Sequence, residues 1–511
     1  MNSCKALMVQ GTSSYCGKSL IVAALCRIFF NLGYRVAPFK AQNMSLNSFV
    51  TKDGREIARA QALQALAAGI EPSCDMNPIL LKPKRDDVCQ IVLHGRPYRD
   101  VKASEYYRFA LNEGIESIKV SLKRLMSNYE LIIIEGAGSP AEINLYHCDI
   151  ANMRVAELAN AQVLLVGDID RGGVFASIVG TLQLLKPEHR ALVKGLIINK
   201  FRGDRSILEP GLKELEEITG KRILGVIPYI RDLHLPSEDS VSLEESSTYA
   251  SNIVDIAVIR LPHISNFTDF EPFKSIPGVR LRYVSSIDEL DTKGTPDIVI
   301  LPGTKNTIRD LLWLRSSGLA DVILNLANQN VPIVGICGGY QMLGKSIIDK
   351  EGIEEMKGEF EGLGLLNIIT HFDRYDKITK RVFAEVIGED SIFTSIKGEK
   401  INGYEIHMGL TVPLDGVKRL FKVLKRGEDV VNEFDGAVSE NGIIIGTYLH
   451  GIFDNPMVRE ALIKFLIERK FTRTTRVKQK SMVEVWDESL ERLARIVKES
   501  LKMGEIYRLI Q

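Results

Sequence analysis

Residues 6–19 read ALMVQGTSSYCGKS and run on into LIVAALCRIFFNL. An apolar β-rich run, a glycine-bounded loop and an apolar helical run, in that order, form the unit that cradles phosphate. Loop N–H groups and the helix N-terminus face the anion, a lysine neutralises its β/γ charge and a hydroxyl reaches Mg²⁺. Gly11, Gly17, Lys18 and Ser19 are therefore the nucleotide-binding candidates. Five residues, where the common pattern has four, separate Gly11 from Gly17. A chance Gly-Lys-Ser would lack the flanking strand and helix.

The same alternation continues outward. A helical pattern from Lys18 to about Leu32 is followed by LIIIEGAG at 131–138, VLLVGD at 163–168 and GLIINK at 195–200, the mark of a doubly wound parallel α/β sheet. Ligands of such sheets bind beyond the carboxyl ends of the strands, so the polar residues ending these runs share one crevice. FKAQNMSLNS at 39–48 sets Lys40, Gln42, Asn43 and Ser45 after another short strand, a cluster suited to a substrate with many hydrogen-bonding groups. Asp168, Asp170 and Arg171 in VGDIDRGGVFA suit a substrate or metal contact.

PSEDSVSLEESSTYASN, 236–252, is polar and acidic with no apolar period and reads as a linker. It bounds a nucleotide-binding domain over 1–235. A second α/β pattern over 253–460 comprises IVDIAVIRLP, DIVILPG, VPIVGICGG and GIIIGTYLHG, and a charged helical extension, 461–511, is expected to pack outside the second sheet. In GICGGYQMLG, 335–344, Cys337 falls on a strand-to-helix turn, the elbow that exposes a nucleophile and lets a helix N-terminus favour thiolate. The Gly303 and Gly338 N–H groups are placed to hold an oxyanion, and His450 in TYLHG is the candidate base.

The bulk properties narrow the field. With 65 basic and 65 acidic residues in 511, the neutral chain has no general attraction for nucleic acid. Seven cysteines without a CxxC pair argue against a disulfide scaffold or zinc knuckle and for a reducing cytoplasm. No signal peptide opens the chain, and no apolar run is long enough for a membrane span. Homo-oligomerisation is compatible with this composition.

The enlarged phosphate loop resembles that of dethiobiotin synthetase and its relatives, which phosphorylate a substrate carboxylate. That resemblance implies ATP and Mg²⁺, with Glu135 and Asp53 joining Ser19 around the metal and Asn199 reading adenine. Glycine loop, cysteine elbow and late histidine resemble class I glutamine amidotransferases, which implies a catalytic Cys337/His450 pair fed by glutamine. Those enzymes carry glutamate two residues after the histidine; here Ile452 stands there, so another group orients His450 or the pair works as a dyad.

Taken together, VQGTSSYCGKS, FKAQNMSLN, EGAGSPAEINL, DIDRGGVFA, RLPHISNFTDF, LPGTKNT, GICGGYQMLG, YEIHMG and GTYLHG resemble the cobyric acid synthases along nearly the whole chain. The resemblance implies a corrinoid substrate, adenosylcobyrinic acid a,c-diamide. Its b, d, e and g carboxylates would be amidated through acyl phosphates by ammonia kept out of bulk water. The sister cobyrinic acid a,c-diamide synthases share both site types and differ in substrate. A phosphate-loop switch or partitioning ATPase would account for the first half only and would not need Cys337 and His450.

Overall fold

The computed structural model describes residues 4–85, 87–236, 253–291, 294–373, 375–470 and 479–511. Their contacts divide the chain into two units. One comprises Met1–Ser45, Glu56–Leu235 and Val485–Gln511; the other comprises Leu46–Arg55 and Pro236–Glu484. Apart from Pro236, the expected linker lies outside the described residues.

The first unit is built on a six-stranded parallel sheet. Its order is Ile223–Pro228, Val193–Phe201, Gln162–Asp168, Lys5–Gly11, Leu131–Glu135, Val36–Phe39. The strands read as continuous apolar runs because helices cover both faces, and Leu131–Glu135 is buried throughout. Val9 pairs with Glu135 and Gly11 with Val166, so the phosphate loop leaves the sheet beside the Glu135 carboxylate. The loop turns into the helix Lys18–Asn31 at Gly17, whose φ is 96°. A Cβ there would come 2.2 Å from Asn199 Nδ2, so conformation and space both demand glycine.

The second unit has its own six-stranded sheet, ordered Val279–Val284, Val254–Ile259, Ile298–Leu301, Ile333–Ile336, Ile444–Thr447, Ala437–Val438. Only the last strand is antiparallel. Ile333–Ile336 ends at Cys337, and Ile444–Thr447 ends three residues before His450. Adjacent parallel strands thus deliver nucleophile and base to one edge.

The chain does not divide as its linear order suggests. The expected boundary at 460 falls inside the helix Pro456–Lys470, whose Val458, Leu462 and Leu466 are core of the second unit. Residues 485–511, expected with the second sheet, are grouped with the first unit. Leu490, Leu493 and Val497 share a core with Leu25, Ile28 and Phe29, and Arg27 pairs with Asp487 at 2.7 Å and Glu491 at 2.9 Å. An amphipathic period marks an apolar face without saying which core it meets. Residues 46–55 likewise leave the nucleotide-binding unit and pack with the second.

Candidate functional site

In the first unit, Lys18 Nζ donates to the carbonyls of Ser13 at 2.9 Å and Gly138 at 3.1 Å, so the ammonium is held at the mouth of the loop. Glu135, buried at the strand end, is the hub. Ser19 Oγ donates to its Oε1 at 2.8 Å and Lys40 Nζ reaches the same oxygen at 2.7 Å. Gln64 and Gln61 donate to Oε2 at 2.6 and 3.3 Å, and Asn43 Nδ2 donates to Gln61 Oε1 at 2.9 Å. The sequence motifs do not single out these two glutamines. Their i, i+3 spacing in the alanine-rich helix Arg59–Ala67 is the available signal.

Gln42 accepts from the Tyr106 hydroxyl and lines a cavity of about 420 Å³ with Met44, Tyr107, Gly138 and Asn152. Ser45 is buried, its N–H on the Leu81 carbonyl. Asn199 Nδ2 donates to the Cys16 carbonyl at 2.8 Å and braces the phosphate loop. Asp168 pairs with Lys200 at 2.8 Å, Asp170 pairs with Arg202 at 2.8 Å, and the Arg171 guanidinium lies 5.9 Å from the Tyr15 ring. Asp53 is grouped with the second unit. It sits in the excursion 46–55, mostly exposed, paired with Arg55 at 3.0 Å and bonded by the Thr51 hydroxyl. Its turn-forming sequence, TKDGRE, gives it a local partner.

In the second unit Cys337 has φ 53° and ψ −109°, a conformation a non-glycine residue holds only when its surroundings impose it. A Cβ on Gly339 would meet the Leu301 carbonyl oxygen at 2.0 Å, so only glycine lets the helix start this close to the neighbouring strand. Gly338 opens that helix, where N–H groups have no partner within the helix. A Cβ on Gly303 would come within 2.9 Å of His450 Cε1, which brings that loop against the base.

His450 is fully buried. Its Nδ1 is 2.6 Å from Asp269 Oδ2, while Asp269 Oδ1 accepts from the Gly451 N–H at 3.1 Å and the Tyr404 hydroxyl at 3.3 Å. Burial alone lowers the imidazole pKa. The Asp269 carboxylate and the hydrogen-bonded Cys337 sulfur outweigh it and push the ring up to about 10. Tyr404 stacks on the ring at 5.3 Å. Asp269 is the orienting acid that the sequence left unassigned. Phe267, Phe270 and Phe273, buried at three-residue spacing in the 3₁₀ segment Phe267–Ser275, hold it on the His450 side. A carboxylate inside so aromatic a run was the legible sign.

A cysteine elbow with an acid-oriented histidine, in one chain with a phosphate loop, defines a glutamine amidotransferase fused to a nucleotide-binding domain. The family models agree: residues 7–242 match the CobQ/CobB/MinD/ParA nucleotide binding domain and 255–458 the CobB/CobQ-like glutamine amidotransferase domain. The chain is 50% identical to the cobyric acid synthase of Pelotomaculum thermopropionicum, covering 99% of this chain and 96% of that one. It is 51% identical to that of Caldanaerobacter subterraneus subsp. tengcongensis, covering 99% and 98%, and to the probable cobyric acid synthase of Methanosarcina barkeri, covering 99% of each. The chain belongs to the cobyric acid synthase family and is a glutamine-hydrolysing amidoligase. Among the described residues no helix is long and apolar enough to cross a membrane.

Proposed function

We propose that the chain converts adenosylcobyrinic acid a,c-diamide to adenosylcobyric acid by amidating its b, d, e and g carboxylates, at one ATP and one glutamine per amide. Most of the support comes from the Cys337–His450–Asp269 assembly in the same chain as Lys18, Ser19 and Glu135. Cys337 Sγ attacks the glutamine side-chain carbonyl carbon, and the oxyanion is received by the Gly303 and Gly338 N–H groups. The amide nitrogen takes a proton from His450 and leaves as ammonia, and water then cleaves the glutamyl thioester to glutamate and free thiol.

In the nucleotide-binding unit a substrate carboxylate oxygen attacks the γ-phosphorus of ATP, ADP departs, and ammonia displaces phosphate from the acyl phosphate. Gly11 and Gly17 shape the loop, Lys18 neutralises the transferring group, and Asn199 holds the loop at the adenine side. The Ser19 hydroxyl and Glu135 carboxylate are 2.8 Å apart and offer the hard oxygens Mg²⁺ prefers. When bound there, Mg²⁺ neutralises β/γ-phosphate charge. The cavity beside Gly138, mainly apolar but with Gln42, Ser139, Glu142, Asp149 and Asn152 in its lining, is the place this reading gives the flat corrin ring, with Lys40, Asn43, Ser45, Asp170 and Arg171 assigned to its acyl arms.

The test is incubation with adenosylcobyrinic acid diamide, ATP and glutamine, with the product followed by mass. Four successive carboxyl-to-amide changes are expected. Absence of any change refutes the proposal, and product from cobyrinic acid halted at the a,c-diamide would assign the sister activity.

A further inference from the structure

Cys74, Asp75 and His94 have no part in the chemistry above, yet their ligand atoms, a sulfur, a carboxylate oxygen and an imidazole nitrogen, all lie within 4.8 Å of one another. Two separate pieces of the nucleotide-binding unit bring them together. Cys74 and Asp75 open the 3₁₀ turn Cys74–Met76, where the Ser73 side chain accepts from the Asp75 N–H. His94 is the first of the two residues joining the antiparallel strands Val88–Leu93 and Arg96–Lys102. Its φ is 44° and that of Gly95 is 74°, both left-handed as a two-residue type I′ turn requires. Asn-Gly, Asp-Gly or Gly-Gly fills such a turn most readily. An imidazole adds nothing to the turn itself, but it sets a nitrogen donor beside the thiol and the carboxylate. The turn is held in place, with the His94 N–H on the Pro78 carbonyl at 2.8 Å and the Gly95 carbonyl accepting from the Glu56 N–H at 3.0 Å.

The surroundings suit a bound cation. Cys74 is buried, whereas the Asp75 and His94 side chains keep 17% and 24% of their surface, so water can reach the group from one side. Ser121, fully buried on the helix Ile115–Asn128, donates to Asp75 Oδ1 at 2.8 Å and lies 3.4 Å from His94 Nδ1. Arg124 on the same helix, mostly in solvent, donates to that oxygen at 3.3 Å. Both donors fall on Oδ1, and among the described residues none falls on Oδ2. Hydrogen bonds of this kind orient a ligating carboxylate and leave its other oxygen for the metal.

We propose that Cys74, Asp75 and His94 bind a zinc-like divalent cation, with water as the fourth ligand, and that the ion ties the 3₁₀ turn to the hairpin. Thiolate and imidazole donors select zinc over Mg²⁺, which takes oxygen ligands. Zinc bonds of about 2.0–2.3 Å set tetrahedral ligand atoms about 3.3–3.7 Å apart, so the three groups need to close by only about 1 Å. Cys74 binds as thiolate and its proton passes to solvent. The next residues show what the ion steadies. The Met76 carbonyl accepts from the Lys40 N–H at 2.8 Å, and Asn77 Nδ2 donates to the Lys40 carbonyl at 3.2 Å. The clamp thus holds the backbone from which Lys40 reaches Glu135, and its role is structural.

The experiment titrates the full chain, stripped with chelator and kept in excess Mg²⁺, with Zn²⁺ and with Co²⁺. Bound zinc is counted after dialysis, and Co²⁺ reports a thiolate ligand by a sulfur-to-metal charge-transfer band in the near ultraviolet. Cys337→Ala serves as the background, because it removes the other cysteine that has a histidine beside it. One zinc per chain and a thiolate band are expected there, and both should be absent once Cys74→Ser is added. His94→Asn, which keeps a residue suited to the turn, should bind zinc at least about tenfold more weakly. Zinc should raise the Tm of the background protein and leave that of the Cys74→Ser form unmoved. Absence of stoichiometric zinc, a band that survives Cys74→Ser, or undiminished zinc affinity in folded His94→Asn overturns the proposal. If the Cys74→Ser form does not fold, the affinity of His94→Asn decides.

Discussion

Asp269→Asn is the sharpest probe of the amidotransferase site. The carboxylate takes three hydrogen bonds, from His450 Nδ1 at 2.6 Å, the Gly451 N–H and the Tyr404 hydroxyl, and both members of the Asp–His pair are buried. Asparagine fills the same volume but loses the charge, and whichever end of its amide faces the ring, one contact is wrong. With NH₂ toward Nδ1, two donors meet or the tautomer inverts; with the oxygen toward Nδ1, NH₂ confronts the Gly451 N–H. Removing one partner of a buried ion pair costs about 3–5 kcal/mol. At about 1.4 kcal/mol per tenfold, glutamine-dependent kcat should fall by roughly 10²–10⁴. The assay is glutamate release, paired with amidation driven by free ammonia, which should keep its wild-type rate because the nucleotide-binding site is untouched. The imidazole should also titrate far below the value of about 10 that Asp269 and Cys337 support. A glutaminase rate within a few-fold of wild type would refute the role given to Asp269, as would parallel loss of the ammonia reaction.

Cys337→Ala should abolish glutamate release and leave ammonia-dependent amidation intact, read from the same two assays. Glu135→Gln removes the hub of Ser19 and Lys40; ATP- and ammonia-dependent amidation should drop by two or more orders of magnitude (about 10²–10³, the size of one lost electrostatic group), with unstimulated glutamate release affected far less. His407 is buried against the Tyr448 ring at 3.7 Å, and burial pushes its pKa down to about 3. The unfolded chain therefore binds a proton near pH 6.5 that the folded chain refuses. Stability falls by about 1.4 kcal/mol per pH unit as pH drops from 6.5 toward 3. Denaturant titrations of wild type and His407→Phe, which keeps the ring stack, should converge at neutral pH and separate in acid, with the variant the flatter; parallel curves would contradict the burial argument.

Both sheets were legible because each central strand is a short apolar run that ends at, or runs directly into, a polar or loop-forming residue of the site, as at Gly11, Glu135, Asp168 and Cys337. Such strands announce themselves, since both faces are covered and no polar alternation interrupts them. The segments 46–55 and 485–511 escape a linear reading for a common reason. Their local patterns are sound, a turn at TKDGRE and an amphipathic helix from Met482, but contacts hundreds of residues apart decide which core they join. Arg27 meeting Asp487 and Glu491 leaves no trace in the spacing of either stretch.

The catalytic acid shows the same limit from the other side. The position two residues after His450 is empty of acid because it cannot hold one: Ile452 and Phe453 are buried in the core with Phe270, Phe273 and Leu462. A carboxylate at 452 would sit in apolar surroundings without the N–H and hydroxyl donors that Asp269 receives from Gly451 and Tyr404, and burying a charge so poorly bonded costs several kcal/mol. With the acid carried on the Phe267–Ser275 segment, that same segment begins at Asn266, which the 46–55 excursion grips. The acid that orients His450 and the residue that bonds the 46–55 segment thus lie three positions apart, Asp269 and Asn266.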